Sequence, residues 1–203
     1  MALKMRKSII FAIICAASLA ALMGSGGGGQ CQAQPYQVQQ YPPPPAGGPQ
    51  GWVPAPRGSR PPAPLQDVAE RIWRLANEIR GKYGIPPLAQ DGTLASLAQA
   101  YCDDMLRRRF FSHTNPEGLA AKDRVMPFYP GPIRRLGENI WKGWNMDTAN
   151  SEALARFIIN SWMKSPGHRD NLLAAYFSHL GVGVAASGRD IRAVQIFANL
   201  QQP

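Results

Sequence analysis

The chain is poor in cysteine, and its few cysteines are unevenly placed. Three occur among 203 residues, and two of them, Cys15 and Cys31, lie near the start. Cys102 is the only cysteine in the rest of the chain, which excludes an internal disulfide there. The folded part must therefore be held by its hydrophobic core, and Cys102 is expected to be a small buried residue of a helix rather than a catalytic thiol.

Acidic residues are also scarce, with 13 Asp and Glu against 22 Lys and Arg. Five of the basic residues precede Leu65 and no acidic residue does, so the surplus in the remaining chain is modest. The densest basic cluster, 107–109, directly follows two aspartates and is interpreted as a solvated helix end. A specific nucleic-acid partner is not expected, because such proteins carry a basic face. A weak affinity for anionic lipids or envelope polymers is left open.

Only one long apolar run is present, and it lies near the N-terminus. Ser8 to Met23 follows Lys4, Arg6 and Lys7 and precedes a small polar segment. This three-part pattern predicts a secretory signal peptide at 1–33, cleaved after Ala33. The run is shorter than the ~20 residues that span a bilayer comfortably. An uncleaved membrane anchor and lipid attachment at Cys15 or Cys31 are the alternatives. Either way, the protein is expected to be exported, and to be periplasmic, bound to the cell envelope or extracellular.

Proline is concentrated in one segment, which lacks acidic residues and apolar periodicity. Residues 34–64 contain eleven of the 19 prolines. Such a composition cannot bury enough apolar surface to fold, so a proline-rich disordered tether is predicted here. The folded domain is predicted at 65–200.

Within that domain, apolar spacing predicts three long helices, at 66–80, from Asp91 through Met105, and at 149–164. The residues of the third helix expected to face inward are Ala153, Leu154, Phe157, Ile158 and Trp162. A short helix at 119–126, a loop at 128–136 and a helical turn at 168–173 are expected. A short strand or turn at 138–141 and a hairpin of 180–186 with 191–198 complete the pattern. Helices bracketing a small antiparallel sheet define the α+β class.

Three short polar motifs carry the candidate chemistry, and two of the three histidines lie in them. They are Phe111-Ser112-His113, Gly137-Glu138-Asn139-Ile140 and Ser165-Pro166-Gly167-His168-Arg169. Two histidines and a carboxylate suit zinc with one position open for water, which the metal would activate. Without a metal, Glu138 and a histidine would serve as acid and base. The alternative is structural, with each histidine fixing a loop through backbone carbonyls.

Taken in order with Trp162, Gly181-Val182-Gly183 and Gln195-x-Phe197, these motifs resemble the CAP superfamily. It comprises the cysteine-rich secretory proteins, antigen 5 and the pathogenesis-related 1 proteins, also called SCP domains. The match is to its bacterial, disulfide-free branch and covers residues 66–198. The resemblance implies a three-layer α-β-α sandwich and a cleft of two histidines and acids, which binds a divalent metal in several members.

Carried over by position, His113 and His168 match the cleft histidines and Glu138 matches the acid between them. Many eukaryotic members add a second acid on the helix that ends here at Trp162 to Ser165, where this chain has Ser165. The resemblance therefore implies an incomplete site, with Zn²⁺ or another divalent cation as a tentative ligand of His113, His168 and Glu138.

The expected function is binding of an envelope lipid, glycan or protein ligand. The cleft residues would be His113, Glu138, Asn139, Ser165, His168 and Arg169. The alternative is a metal-dependent hydrolase that uses His113, Glu138 and His168. Trp141 and Trp144 are further candidates for stacking on a sugar or contacting a lipid.

Overall fold

A computed structural model describes residues 63–129 and 132–200. The helices are α1 (Ala63–Lys82), α2 (Gly92–Arg107), α3 (Ala121–Val125), α4 (Ser151–Lys164) and α5 (Pro166–Leu173), with a 3₁₀ turn at Met126–Phe128. The strands are β1 (Ala89–Gln90), β2 (Ile133–Trp144), β3 (His179–Ser187) and β4 (Asp190–Leu200). The predicted signal peptide and nearly all of the predicted tether lie outside the described residues, and α1 begins two residues before the predicted domain boundary.

The four strands form one sheet in the order β1-β3-β4-β2. β4 pairs antiparallel with β3, as the hairpin pattern predicts, and also pairs antiparallel with β2. The short β1 pairs with β3 in parallel, so the sheet is mixed rather than wholly antiparallel. β2 forms the opposite edge of the sheet, and this position matters for the site described below.

Helices cover both faces of the sheet, which makes an α-β-α sandwich as expected. One apolar cluster joins α1, α4 and α5 to one face, and a second joins α2 and α3 to the other. Alternate residues of β4 supply the two clusters, with Phe197 in the first and Ile196 in the second. Both clusters consist of residues between Leu65 and Leu200, so the domain carries its own core.

Two glycines of β3 let α2 approach the sheet closely. A Cβ on Gly181 would lie 2.2 Å from the Ala95 nitrogen, and one on Gly183 would lie 2.3 Å from the Gln99 nitrogen. The approach brings the Sγ atom of Cys102 to 3.3 Å from the Gly183 carbonyl oxygen. Cys102 is fully buried as predicted, and burial raises the pKa of its thiol well above the usual range.

Polar side chains cap the starts of α2 and α4. Asp91 Oδ1 accepts a hydrogen bond from the Leu94 nitrogen at 2.8 Å, and Asn150 Oδ1 accepts one from the Ala153 nitrogen at 3.0 Å. The inward stripe of α4 was predicted incorrectly for two residues, because Ala153 and Phe157 are exposed. The buried stripe instead runs through Leu154, Ala155, Ile158, Ile159 and Trp162.

The prediction of a loop at 128–136 is wrong for its last part, because β2 already begins at Ile133. Arg134 and Arg135 are both exposed there, so the segment lacks the apolar alternation that signals a strand. Charged residues are common on edge strands, where they discourage pairing with other chains. Within the described ranges, no helix is long and apolar enough to cross a membrane.

Candidate functional site

The three motif residues meet at β2, the edge strand of the sheet. Glu138 lies on this strand, His113 comes from the loop after α2, and His168 comes from the first turn of α5. The centroids of the two imidazole rings are 6.5 Å apart, with an angle of 39° between the ring planes. Residues separated by 55 positions in the chain thus share one side-chain cluster, as the motif order predicts.

Glu138 is buried and both of its carboxylate oxygens are engaged. Oε1 lies 2.8 Å from His113 Nδ1, and Oε2 accepts a hydrogen bond from Arg124 Nη2 at 2.7 Å. The side chains of Arg124 and Glu138 are only 1% and 3% exposed, whereas that of His113 is 54% exposed. Glu138 therefore links a buried cation to an exposed histidine.

Arg124 is held by more than this ion pair. Its guanidinium carbon lies 3.3 Å from the centroid of the Tyr101 ring, and Nη2 also donates to the His113 carbonyl oxygen at 3.3 Å. Tyr101 in turn donates its hydroxyl hydrogen to the Ser112 carbonyl oxygen at 2.7 Å. These contacts fix both the backbone and the ring of the His113 segment.

The contact with Glu138 also sets the tautomer of neutral His113. An ionised carboxylate only accepts hydrogen bonds, so the proton of the neutral imidazole must be on Nδ1. The lone pair then lies on Nε2, at the far side of an exposed ring. The same carboxylate–histidine arrangement orients imidazoles in many binding and metal sites.

His168 is partly buried, and it is expected to be neutral at neutral pH. Burial lowers the pKa of its imidazole below the ordinary 6.5, and the nearby His113 lowers it further. At neutral pH one ring nitrogen of His168 is therefore also an acceptor. Its backbone carbonyl oxygen accepts a hydrogen bond from Asn139 Nδ2 at 3.1 Å.

The Asn139 side chain holds the backbone around the cluster and does not line its surface. The residue is fully buried, and its Nδ2 also donates to Gln195 Oε1 at 3.1 Å. Asn171 Nδ2 donates to Asn139 Oδ1 at 2.9 Å and to the Glu138 carbonyl oxygen at 3.3 Å. Asn139 thus ties α5 to β2, which is a positioning role and not direct ligand contact.

Ser165 and Arg169 contribute less than the motif suggests. Ser165 separates α4 from α5, and its carbonyl oxygen accepts a hydrogen bond from the Arg169 nitrogen at 2.9 Å. The Arg169 side chain is exposed and makes no ion pair with the described part of the chain.

The sequence offered no signal for Arg124 or Tyr101, although both organise the site. Arg124 lies in the predicted short helix, where an arginine is ordinarily solvent-exposed, and no motif marks it. Tyr101 lies in the predicted second helix, where no motif marks it either. A buried arginine is recognisable only once its carboxylate partner and aromatic neighbour are in place.

The described residues show no preformed three-ligand metal site. Both Glu138 oxygens are taken, and the described residues contain no group of three or more His, Cys, Asp or Glu side chains that could hold a metal ion. The His113–Glu138–His168 ligand set therefore stays a prediction. This arrangement can offer a cation two imidazole rings, one of which, His113, is hydrogen-bonded to Glu138.

One serine lies beside a histidine, but in a structural role. Ser178 Oγ is 2.8 Å from His179 Nδ1. The same oxygen accepts a hydrogen bond from the Leu200 nitrogen at 3.2 Å and lies 3.4 Å from the Ala198 carbonyl oxygen. These contacts fasten the start of β3 to the end of β4. Two surface depressions, one beside Leu119 and Met126 and one beside Asp67 and Asp147, do not include His113 or His168.

An α-β-α sandwich with two histidines and a carboxylate at one sheet edge defines the class of this protein. Residues 73–197 match the cysteine-rich secretory protein family, CAP, and the chain belongs to that family.

The chain is 32% identical over 127 residues to the uncharacterized protein YkwD of Bacillus subtilis, which covers 63% of this chain and 46% of that protein. It thus spans less than half the length of this relative. A solved extracellular protein with an SCP domain from Bacillus anthracis is 29% identical, with a TM-score of 0.54, and the match covers 67% of this chain and 41% of that one. An outer surface protein of Borrelia burgdorferi has a TM-score of 0.59 at 18% identity over 68% of this chain and 96% of its own, which shows the shared fold alone.

Proposed function

We propose that this protein is an exported CAP-domain protein whose His113–His168 cluster binds a ligand at the cell envelope. The observation that carries the proposal is the engagement of both Glu138 oxygens, one by His113 and the other by Arg124. A carboxylate held in this way orients an imidazole but is poorly placed to act as a free base or to ligate a metal. The site is thus built to present His113, which favours binding over hydrolysis.

The arrangement of ring nitrogens favours a ligand that donates hydrogen bonds. The Glu138 contact at Nδ1 leaves Nε2 as the nitrogen that His113 presents to a ligand, and burial lowers the pKa of the nearby His168, which favours its acceptor form. Phosphate and carboxylate groups in their ionised forms only accept hydrogen bonds, whereas sugar hydroxyls can donate them. Among a lipid, a glycan and a protein, we therefore favour a glycan for this cluster.

Export is supported by two independent observations. The first is the signal-like pattern of residues 1–33, and the second is that similar proteins include an extracellular protein and an outer surface protein. A glycan of the envelope is then the ligand that the protein would meet. The proposed location is the periplasm, the envelope or the extracellular space.

The rival function is a metal-dependent hydrolase that uses His113, Glu138 and His168. The lowered pKa of His168, caused by its burial, supports this rival, because a metal binds the unprotonated imidazole. Cys102 is buried and Ser178 is tied to the backbone, so neither is an available nucleophile. Zinc titration of the purified domain, followed by turnover assays with and without chelator, tests this rival directly.

Binding is tested with residues 34–203 and a soluble chitin tetrasaccharide, which carries many hydroxyl donors. Isothermal titration calorimetry should show binding that is lost in the His113→Ala/His168→Ala variant. His179→Ala is the matched control, since it removes the one histidine outside the cluster and should leave binding unchanged. Equal binding by the double variant, or no binding of the tetrasaccharide by the unmodified domain, would count against a glycan-binding cluster.

A further inference from the structure

A second cluster of side chains lies farther along β2, at the end of the strand. We define this strand-end patch as Phe111, Lys142, Trp144 and Arg192. Lys142 Nζ is 5.1 Å from the centroid of the Phe111 ring, and the guanidinium carbon of Arg192 is 5.9 Å from it. Lys142 is ~13 Å along the strand from Glu138, at ~3.3 Å per residue. The patch is therefore separate from the histidine cluster.

Two cations of this patch lie side by side on adjacent strands. Lys142 on β2 pairs in register with Arg192 on β4, so their side chains lie on the same face. Like charges directly opposite each other destabilise a sheet. Lys142 makes no ion pair with the described residues, and its neighbour among them is the aromatic ring of Phe111. This arrangement concentrates positive charge at one end of the sheet and lowers the stability of the fold.

Arg192 is poorly neutralised for a cation whose side chain is only 10% exposed. Its one carboxylate neighbour in the described structure is Asp190, with Nη1 at 3.4 Å from Oδ1, and Nη1 also donates to the Ile191 carbonyl oxygen at 2.9 Å. Its Nε is buried and has no hydrogen-bond partner among the described residues. The buried charge therefore adds to the field of Lys142 above it.

Large aromatic side chains are exposed beside these cations. Trp144 is 62% exposed and Phe111 is 37% exposed. Trp144 lies two residues from Lys142 on the same strand and so faces the same side. The exposure of these two rings shows that the patch presents aromatic surface to solvent.

We propose that the strand-end patch docks the domain onto a membrane surface that contains anionic lipids. Tryptophan is enriched at membrane–water interfaces, where its ring sits among the headgroups. Lysine and arginine near an anionic leaflet are attracted to it. Outward aromatics beside poorly neutralised cations match such a flat, negatively charged surface. The inference goes beyond the proposed glycan binding and does not depend on the histidine cluster.

The test uses residues 34–203, which contain the whole described domain but omit the apolar run near the N-terminus. Cosedimentation is measured with phosphatidylcholine vesicles and with vesicles that also contain phosphatidylglycerol. We expect partitioning only onto the anionic vesicles, and weaker partitioning as salt is raised. Lys142→Gln should reduce the partition coefficient about fivefold, which corresponds to ~1 kcal/mol per cation near the surface. Trp144→Ala should reduce it by a similar factor.

Two matched controls separate the patch from general effects. Lys164→Gln removes one exposed charge on α4, and Phe157→Ala removes an exposed aromatic ring on the same helix. Both should leave partitioning within about twofold of the unmodified domain, since neither residue belongs to the strand-end patch. Near-ultraviolet circular dichroism and a urea midpoint establish that each variant is folded.

Three results would overturn the proposal. They are no preference for anionic vesicles, equal losses for Lys142→Gln and Lys164→Gln, and binding that needs Lys142 but not Trp144. The last would indicate attraction of charge alone, without contact of the Trp144 ring with the membrane interface. The His113→Ala/His168→Ala variant should keep vesicle binding, so failure of the glycan proposal and failure of this one are distinguishable.

Discussion

Replacing Arg124 by methionine removes the cation that compensates the buried Glu138 carboxylate. Removing one partner of a buried ion pair costs about 3–5 kcal/mol, because the other charge is left uncompensated. Here the pair is 2.7 Å long, its side chains are 1% and 3% exposed, and the contact with the Tyr101 ring is lost as well. A small domain typically has only about 5–15 kcal/mol of stability. Arg124→Met should therefore be among the most destabilising single changes in this protein.

A double-mutant cycle in urea isolates the ion pair. Glu138→Gln is the second single variant, and the Arg124→Met/Glu138→Gln double variant lacks both charges. We expect the double variant to be more stable than the sum of the two single effects predicts, by about 2 kcal/mol, a coupling within the range for directly contacting residues. Arg74→Met is the matched control, because it breaks an exposed pair with Glu70 on α1 and should change stability little. A cost below about 1 kcal/mol for Arg124→Met, or strictly additive effects, would refute the reasoning.

Three further predictions concern other parts of the structure. The folded-state pKa of His168 is lowered below 6.5, so unfolding should bind a proton and the free energy of unfolding should fall as pH drops from about 7.5 to 5.5. In urea titrations, the stability of His168→Asn should depend less on pH. An equal pH dependence in the variant would contradict the lowered pKa of His168. Gly183→Ala should lower the free energy of unfolding by about 3 kcal/mol or more in a urea titration, since its Cβ would lie 2.3 Å from the Gln99 nitrogen. Unchanged stability would mean that α2 does not lie this close to β3. Arg80→Met should lower the free energy of unfolding by about 3 kcal/mol, because the buried Arg80 donates hydrogen bonds to four backbone carbonyl oxygens. A loss of less than about 1 kcal/mol would show that those carbonyl oxygens find other hydrogen-bond donors.

Local signals in the sequence were sufficient for most of the fold. Asp91 identified the start of α2, and the turn at 187–190 identified the β3–β4 hairpin, because capping and hairpin chemistry act over a few residues. The start of β2 was missed because an edge strand with exposed arginines has no apolar alternation. Phe157 was assigned to the core because it fits a helical stripe, and only the packing of α4 against α1 decides which stripe faces inward.

For the candidate site, the sequence predicted which side chains lie together but not how each of them is held. His113, Glu138 and His168 were expected together, and they are found together at the edge of β2. Asn139, also predicted as a cleft residue, fastens α5 to β2 from a buried position. The role of Glu138 depends on Arg124, whose burial results from contacts between α2, α3 and β2 that no local pattern encodes.

In the proposed site, Glu138 orients His113 so that its Nε2 atom is presented to a ligand. The most direct test is two-dimensional NMR of residues 34–203 with ¹⁵N-labelled histidine, at a pH where the imidazole of His113 is neutral. The account predicts that its proton is on Nδ1, that Glu138→Gln weakens this preference, and that the chitin tetrasaccharide shifts the Nε2 signals of His113 and His168. A neutral His113 with its proton on Nε2, or tetrasaccharide binding that leaves both Nε2 signals unmoved, would contradict it.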